Sequence, residues 1–196
     1  MNPSPHSTDI AEDERYGAPV RPARGERLRI APALLDEIRR HGEEAYPEEC
    51  CGVLLGRRQA ESTEVVRRLP VANEREAAAR LNRFSIAPRD LLAAQRSADA
   101  EGLEVVGYYH SHPDCPAKPS EHDRAAAWPD TSYLIVAVRR AEAAEARSWR
   151  LCDDRSAYRE EAVDPAAPAP TPAAGRARPT DDGEIPRNPE RKRGSR

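Results

Sequence analysis

Apolar residues occur in short runs along the middle of the chain, and the spacing within each run predicts a strand or a helix. Short, nearly continuous apolar runs are typical of buried strands, and alternating runs are typical of half-buried ones. These patterns predict strands at 27–30, 49–55, 63–73, 83–86, 103–109, 131–138, 148–152 and 157–163. We expect the last two to be edge strands that pair antiparallel.

Apolar residues at helical spacing and helix-start signals predict three helices between these strands. The helices cover residues 33–44, 88–102 and 120–128. Gly42 and Pro47 are expected to end the first helix, and Pro88 is favourable at the start of the second. Strands and helices alternate unevenly, so the predicted fold class is α/β or α+β, with one mixed sheet and helices on both faces.

Both ends of the chain differ in composition from the middle. Residues 1–26 are polar with scattered Pro and Gly, and residues 164–196 are rich in Pro and Ala and end in a basic run. Such segments bury too little apolar surface to fold, so we predict two disordered tails. The single predicted domain therefore covers residues 27–163, and a solvated charge run is the commoner interpretation of the basic end.

Composition limits the classes of function. The chain has 196 residues, enough for one domain with a core, and a net charge of −3. No strong field therefore attracts nucleic acid or a membrane surface, and no apolar run approaches the ~20 residues of a membrane helix. The N-terminus lacks a signal-peptide pattern, which favours a cytoplasmic protein whose four cysteines are reduced.

Candidate chemistry is concentrated at the end of the strand predicted at 103–109, where His110 and His112 follow. Side chains of a strand alternate between faces, so these two imidazoles point the same way. Pro113 has no N–H for a ladder and ends the strand. Two imidazoles side by side suit one metal ion.

A carboxylate and a serine follow at the start of the third predicted helix. Ser120 and Asp123 have the spacing of an ordinary helix N-cap with an acidic residue three places on. Asp123 can also lean back from the first turn toward the histidines, and the two roles are compatible. Two histidines, one carboxylate and an open fourth position form the ligand set of a catalytic zinc site.

These residues resemble the JAMM motif of the MPN+ metalloproteases. The motif places a glutamate upstream of His-Ser/Thr-His-Pro and Ser-X-X-Asp. Here the second part is His110–Pro113 with Ser120 and Asp123, and the stretch 47–56 resembles the first core strand of the family, with Glu49 three positions before Gly52. The resemblance covers residues 27–163 and implies the MPN fold, a mixed sheet with helices.

The resemblance implies a zinc peptidase mechanism. His110, His112 and Asp123 hold one Zn²⁺, which lowers the pKa of its bound water to ~7. Glu49 takes the proton as general base and delivers it to the leaving amine. The Ser120 hydroxyl donates to the developing oxyanion.

Three neighbouring residues receive other interpretations. A lone glutamate at the start of a strand is by default a solvated end, and Glu48 is expected to face away from Glu49. Ser111 lies between the two histidines, faces away from the metal and is assigned a structural role. Cys115 is interpreted as a loop residue beside the site, with a redox-sensitive thiol as the alternative.

The implied substrate is an amide bond next to the C-terminal Gly-Gly of a ubiquitin-like sulfur-carrier protein. The chain resembles the free-standing bacterial branch of the family, the sulfur-carrier cysteine peptidases, which release cysteine from that tail. The linker 74–80 is too short for the inserts of polyubiquitin-cleaving enzymes, and Arg75 and Arg80 are placed to meet an acidic partner. No nucleic acid or membrane partner is expected.

Two other classes remain open. A non-catalytic MPN scaffold is one, although such domains lack the motif and here every motif position is filled. The other is a non-haem Fe(II) enzyme, whose facial triad also has two histidines and one carboxylate. Those sites lie in all-β barrels, whereas helices are predicted in this chain.

Overall fold

A computed structural model of the chain describes residues 27–167, which form seven strands and three helices. The strands are β1 (Arg27–Ile30), β2 (Cys51–Arg58), β3 (Thr63–Val71), β4 (Glu104–Pro113), β5 (Ser132–Arg139), β6 (Glu142–Leu151) and β7 (Tyr158–Pro165). The helices are α1 (Pro32–Ala45), α2 (Pro88–Glu101) and α3 (Glu121–Ala126). Within these residues, none of the helices has the length and apolar character to cross a bilayer.

The strands form one mixed sheet that closes into a barrel in the order β1-β3-β2-β4-β5-β6-β7. Strand β1 pairs parallel with β3 and β7, β4 pairs parallel with β5, and the remaining pairs are antiparallel. The predicted mixed sheet is confirmed. The prediction of two edge strands is wrong, because β7 has β6 on one side and β1 on the other.

Alternation along β5 divides the core between the two faces of the sheet. Leu134, Val136 and Val138 pack in one cluster with Ile38 of α1. The intervening residues, such as Ile135, belong to a second cluster under the segment that contains α3. Helix α2 packs on the same side of the sheet as α3, against alternate residues of β2. Helices therefore cover both faces, as predicted.

Helix α1 continues through Gly42 to Ala45 instead of ending at the glycine. A Cβ atom at Gly42 would lie 3.0 Å from a methyl carbon of Val138 and 3.2 Å from the Cβ atom of Ser111. The glycine therefore permits close packing of α1 on β4 and β5, and its predicted role as a helix terminator is wrong.

Near the site, one strand boundary and one predicted strand differ from the sequence prediction. Strand β4 ends at Pro113, as predicted, and both histidines lie inside it. Strand β2 begins at Cys51, and Glu49 therefore precedes the strand. The predicted strand at 83–86 is absent, because residues 72–87 form an irregular connection between β3 and α2.

Strand β7 runs past the predicted domain boundary at 163. Asp164 forms an ion pair with Arg27, Pro165 is the register partner of Ile30, and the N–H of Ala166 donates to the Ile30 carbonyl at 3.0 Å. The predicted disorder of residues 1–26 and of residues beyond 167 lies outside the described residues.

Two C-terminal truncations test whether the folded domain ends at residue 163 or at residue 167. A chain of residues 27–167 is expected to melt close to the full-length protein, whereas a chain of residues 27–163 is expected to lose about 1–3 kcal/mol of stability. The loss follows because each backbone hydrogen bond between β7 and β1 contributes roughly 1 kcal/mol. Denaturant unfolding measures the difference, and equal midpoints for the two truncations would contradict it.

Candidate metal centre

Three side chains on two elements place their ligand atoms in one cluster. His110 and His112 project from the same face of β4, and Asp123 lies in the first turn of α3. The two Nε2 atoms are 3.0 Å apart, His110 Nε2 is 3.4 Å from Asp123 Oδ1, and His112 Nε2 is 3.6 Å from Asp123 Oδ2. The structure therefore brings together the three predicted ligands, which form a group able to hold a metal ion.

The cluster has the dimensions of a tetrahedral metal site. Ligand atoms bonded to zinc at about 2.0–2.1 Å lie about 3.3 Å from each other, a value within the range of these three separations. The two Nε2 atoms lie at hydrogen-bond distance, 3.0 Å, so either a proton on one of them or a cation bound by both satisfies this contact. Two nitrogens and one carboxylate oxygen are also ordinary zinc ligands, so the residues fit the ion.

The two histidines are oriented by different contacts. His112 Nδ1 donates to the carbonyl of Pro116 at 2.9 Å, which leaves the Nε2 lone pair directed at the cluster. His110 is 1% exposed, and its Nδ1 finds no hydrogen-bond partner among the residues that the structure describes. Its ring stacks instead on Phe84, with 4.5 Å between ring centroids and 28° between planes.

A capping box holds Asp123 in place. The Ser120 N–H and hydroxyl donate to Asp123 Oδ2 at 2.6 and 2.7 Å, and the Asp123 N–H donates to Ser120 Oγ at 3.2 Å. Asp123 Oδ1 remains directed at His110. Burial by itself would raise the pKa of Asp123, but the adjacent histidines hold it well below its ordinary value. One carboxylate therefore takes both roles, since Oδ2 accepts the hydrogen bonds of the capping box and Oδ1 faces the histidines.

Glu49 is 5% exposed although it lies outside a strand. Burial raises the pKa of this carboxyl from 4.5 to about 8, with a smaller opposing effect of His112 and a further rise from Asp123. The carboxyl is therefore within the electrostatic field of the ligand cluster. The side chain of Glu48 is 39% exposed and lies 3.5 Å from the Arg80 guanidinium, so the two adjacent glutamates occupy opposite environments.

The backbone of Glu49 is held by the irregular segment 72–87 instead of a strand neighbour. Its N–H donates to the Arg80 carbonyl at 2.7 Å, and its carbonyl accepts from Asn73 Nδ2 at 3.1 Å. Asn73 and Phe84 were missed by the sequence analysis. The signals available were an asparagine at the end of β3 and the only phenylalanine in the chain.

Ser111 faces away from the ligands. Its hydroxyl accepts the N–H of Cys50 at 2.9 Å, and its own N–H donates to the Cys50 carbonyl at 3.2 Å. These bonds extend the contact between β4 and the segment before β2, in keeping with the structural role assigned to it. Cys115 is exposed in the loop after β4.

The raised pKa of Glu49 predicts a pH-dependent stability of the metal-free protein. The folded state keeps a proton on Glu49 between about pH 4.5 and 8 that the unfolded chain releases, so this residue costs stability as the pH rises through that range. Glu49→Gln removes the cost. In excess chelator, the variant is expected to gain on the order of 3 kcal/mol over wild type at pH 7 and little at pH 4.5. Urea unfolding across this range measures the gain, and a pH-independent difference would refute the prediction.

The described residues form a closed mixed barrel with helices, and this domain carries a His-His-Asp cluster that could hold a metal ion. The sequence profile described as prokaryotic homologs of the JAB domain matches residues 31–152, more than half of the chain. The protein belongs to this family. The family match spans all three ligands as well as Glu49 and Ser120.

Two named relatives and one solved structure match most of the described domain. A desampylase of Haloferax volcanii is 34% identical over 114 residues, which are 56% of this chain and 79% of that protein. A CysO-cysteine peptidase of Mycobacterium tuberculosis is 33% identical over 127 residues, 64% of this chain and 84% of that protein. The solution structure of a Salinibacter ruber protein has a TM-score of 0.56 at 41% identity and covers 73% of this chain and 95% of that one.

Proposed function

We propose that the protein is a zinc-dependent peptidase or isopeptidase that hydrolyses the amide bond after the C-terminal Gly-Gly of a ubiquitin-like sulfur-carrier protein, with cysteine as one released group. The observation that carries the proposal is the cluster of His110, His112 and Asp123 beside the buried carboxyl of Glu49. The names of the relatives support it, because they include a desampylase, a CysO-cysteine peptidase and a probable TtuB-protein conjugate cleaving protease.

Each part of the chemistry is assigned to a residue of the chain. His110, His112 and Asp123 would hold the zinc ion, which when bound would supply a Lewis acid and lower the pKa of a water molecule. Glu49 accepts the proton of the attacking water and delivers it to the leaving amine. Burial raises the pKa of this carboxyl to about 8 in the metal-free protein, and a cation bound beside it would lower that pKa and so favour the ionised form that a general base requires.

Ser120 is proposed as the hydrogen-bond donor to the oxyanion. In the structure its hydroxyl donates to Asp123 Oδ2 at 2.7 Å. The hydroxyl can turn to the substrate without releasing Asp123, because the Ser120 backbone N–H keeps its own bond to that oxygen at 2.6 Å. Removing one oxyanion donor typically costs roughly 10²–10³ in kcat.

The closed barrel changes the expected path of the substrate tail. An extended Gly-Gly tail forms main-chain hydrogen bonds wherever backbone groups are free, and glycines permit close approach to the metal. The irregular segment 72–87 contacts both Glu49 and His110, so we propose that the tail runs along it. The exposed Arg75 in this segment is placed to meet an acidic partner surface.

Mass spectrometry of a carrier–cysteine adduct tests the substrate. Zinc-loaded enzyme is expected to release cysteine and leave the carrier with a free Gly-Gly terminus, and a chelator is expected to stop the reaction. Carrier extended by a longer peptide after Gly-Gly serves as a second substrate. An intact adduct, alongside ready cleavage of an unrelated peptide, would overturn the substrate proposal and leave the hydrolase proposal standing.

A further inference from the structure

Segment 72–87 contacts both the proposed general base and a candidate ligand. Its Arg80 carbonyl accepts the Glu49 N–H, and its Phe84 ring stacks on His110. Glu49 lies before β2 and lacks a strand partner, so this segment sets the position of its backbone. The Nε2 atom of His110 faces the ligand cluster, but its Nδ1 has no hydrogen-bond partner in the described part of the chain. The stacking contact with Phe84 therefore supplies the support of the ring outside the cluster.

The Asn73 side chain forms hydrogen bonds with residues near both ends of this segment and with Glu49. Its Nδ2 donates to the carbonyls of Glu49 and Arg83 at 3.1 and 2.9 Å. Its Oδ1 accepts the N–H groups of Arg75 and Ser85 at 3.1 and 3.2 Å. An amide has two donor hydrogens and two acceptor lone pairs, and all four are used here.

The two bonded residues at the far end, Arg83 and Ser85, flank Phe84. The Asn73 amide therefore fixes the backbone on both sides of the stacking ring, and the same Nδ2 holds the Glu49 carbonyl. Ligating histidines are usually oriented by a hydrogen bond from the second ring nitrogen, as His112 is by Pro116. For His110, the stacking contact takes the place of that bond.

We propose that Asn73 is a positioning residue of the metal centre, which acts through Phe84 on His110 and through the backbone on Glu49. The part that concerns Glu49 rests on the proposed hydrolase function. The part that concerns His110 is independent of any substrate, because it predicts an effect on zinc affinity.

Zinc affinity is measured by competition with a chromophoric chelator. Asn73→Ala and Phe84→Leu are each expected to weaken zinc binding by about 10–100-fold, as outer-shell changes commonly do. Phe84→Tyr keeps the stacking ring and is expected to restore near-wild-type affinity. Asn82→Ala is the matched control, since Asn82 is an exposed asparagine of the same segment. The double variant Asn73→Ala/Phe84→Leu is expected to bind zinc no more weakly than the weaker single variant, because both changes remove one contact.

Kinetics at saturating zinc test the effect on Glu49. Asn73→Ala is expected to lower kcat about 10–100-fold with KM unchanged, and Asn82→Ala is expected to match wild type. Asn73→Asp keeps the side-chain shape but loses both donors, so it provides the same test if Asn73→Ala does not fold.

Wild-type zinc affinity in folded Asn73 variants, or additive effects of Asn73→Ala and Phe84→Leu, would overturn the proposal. So would a lowered melting temperature as the only change. Failure of the wild-type enzyme to cleave the carrier adduct would instead refute the proposed function, and the zinc affinities would still decide the role of Asn73.

Discussion

Glu49→Gln is expected to abolish hydrolysis while zinc binding and folding are retained. Glutamine has nearly the same shape as glutamate, but its amide does not accept the proton of the attacking water. Loss of a general base costs typically 10²–10⁴-fold in rate. The rate is followed by mass spectrometry of the carrier adduct, and zinc is quantified in the same protein sample. Full activity in a zinc-loaded Glu49→Gln variant would remove this residue from the mechanism.

Glu48→Gln is the control for this variant, because it makes the same chemical change one residue away. The Glu48 carboxylate forms an exposed pair with Arg80, and exposed pairs contribute about 0–1 kcal/mol to stability. Activity close to wild type is therefore expected. If Glu48→Gln were inactive and Glu49→Gln active, the assignment along this segment would be wrong by one residue.

Purified wild-type protein is expected to hold about one zinc ion per chain, and His112→Ala or Asp123→Ala is expected to lose it. Each change leaves two of the three proposed protein ligands. The fourth coordination position is open to water and supplies no protein ligand in compensation. Plasma mass spectrometry of protein purified without oxygen measures zinc and iron together. Iron in place of zinc would favour the Fe(II) alternative, although the three helices packed on the sheet distinguish this domain from the all-β barrels of that class.

His122→Ala is the matched control for metal loss. His122 is exposed on α3, directly before Asp123 in the chain, and is not a member of the ligand cluster. Its zinc content is expected to equal that of wild type. Equal zinc in wild type, His112→Ala and Asp123→Ala would refute the assigned ligands. Because Asp123 also caps α3, melting curves are needed for that variant, whereas His112→Ala leaves the capping box intact.

The ligand set was predictable from sequence because each half of it is local. His110 and His112 share a face through the two-residue period of a strand, and Ser120 and Asp123 meet through the first turn of a capped helix. The strands, helices and mixed sheet were predictable for the same reason, since apolar periodicity reports burial residue by residue. The family resemblance then connected Glu49, which lies 61 positions before His110, to the same site.

Closure of the barrel was decided by the tertiary structure. It depends on β1 pairing with β7, and that contact joins residues 27–30 to residues 162–165 without a signal in either segment. The role of Gly42 could not be predicted from the sequence either. A glycine that ends a helix and a glycine that allows a strand to pack closely on the helix have the same local sequence pattern. Both outcomes depend on residues that are distant in the chain.

The contacts that orient the site also depend on residues that are distant in the chain. Asn73 and Phe84 lie in a segment without periodicity, where local spacing predicts neither a partner nor a direction. Their importance follows only from contact with Glu49 and His110 across the fold. The sequence alone therefore determined which residues are candidate metal ligands, because the spacing within each pair is local. Packing between distant segments decided how these residues are held, because stacking and hydrogen bonding require the folded chain.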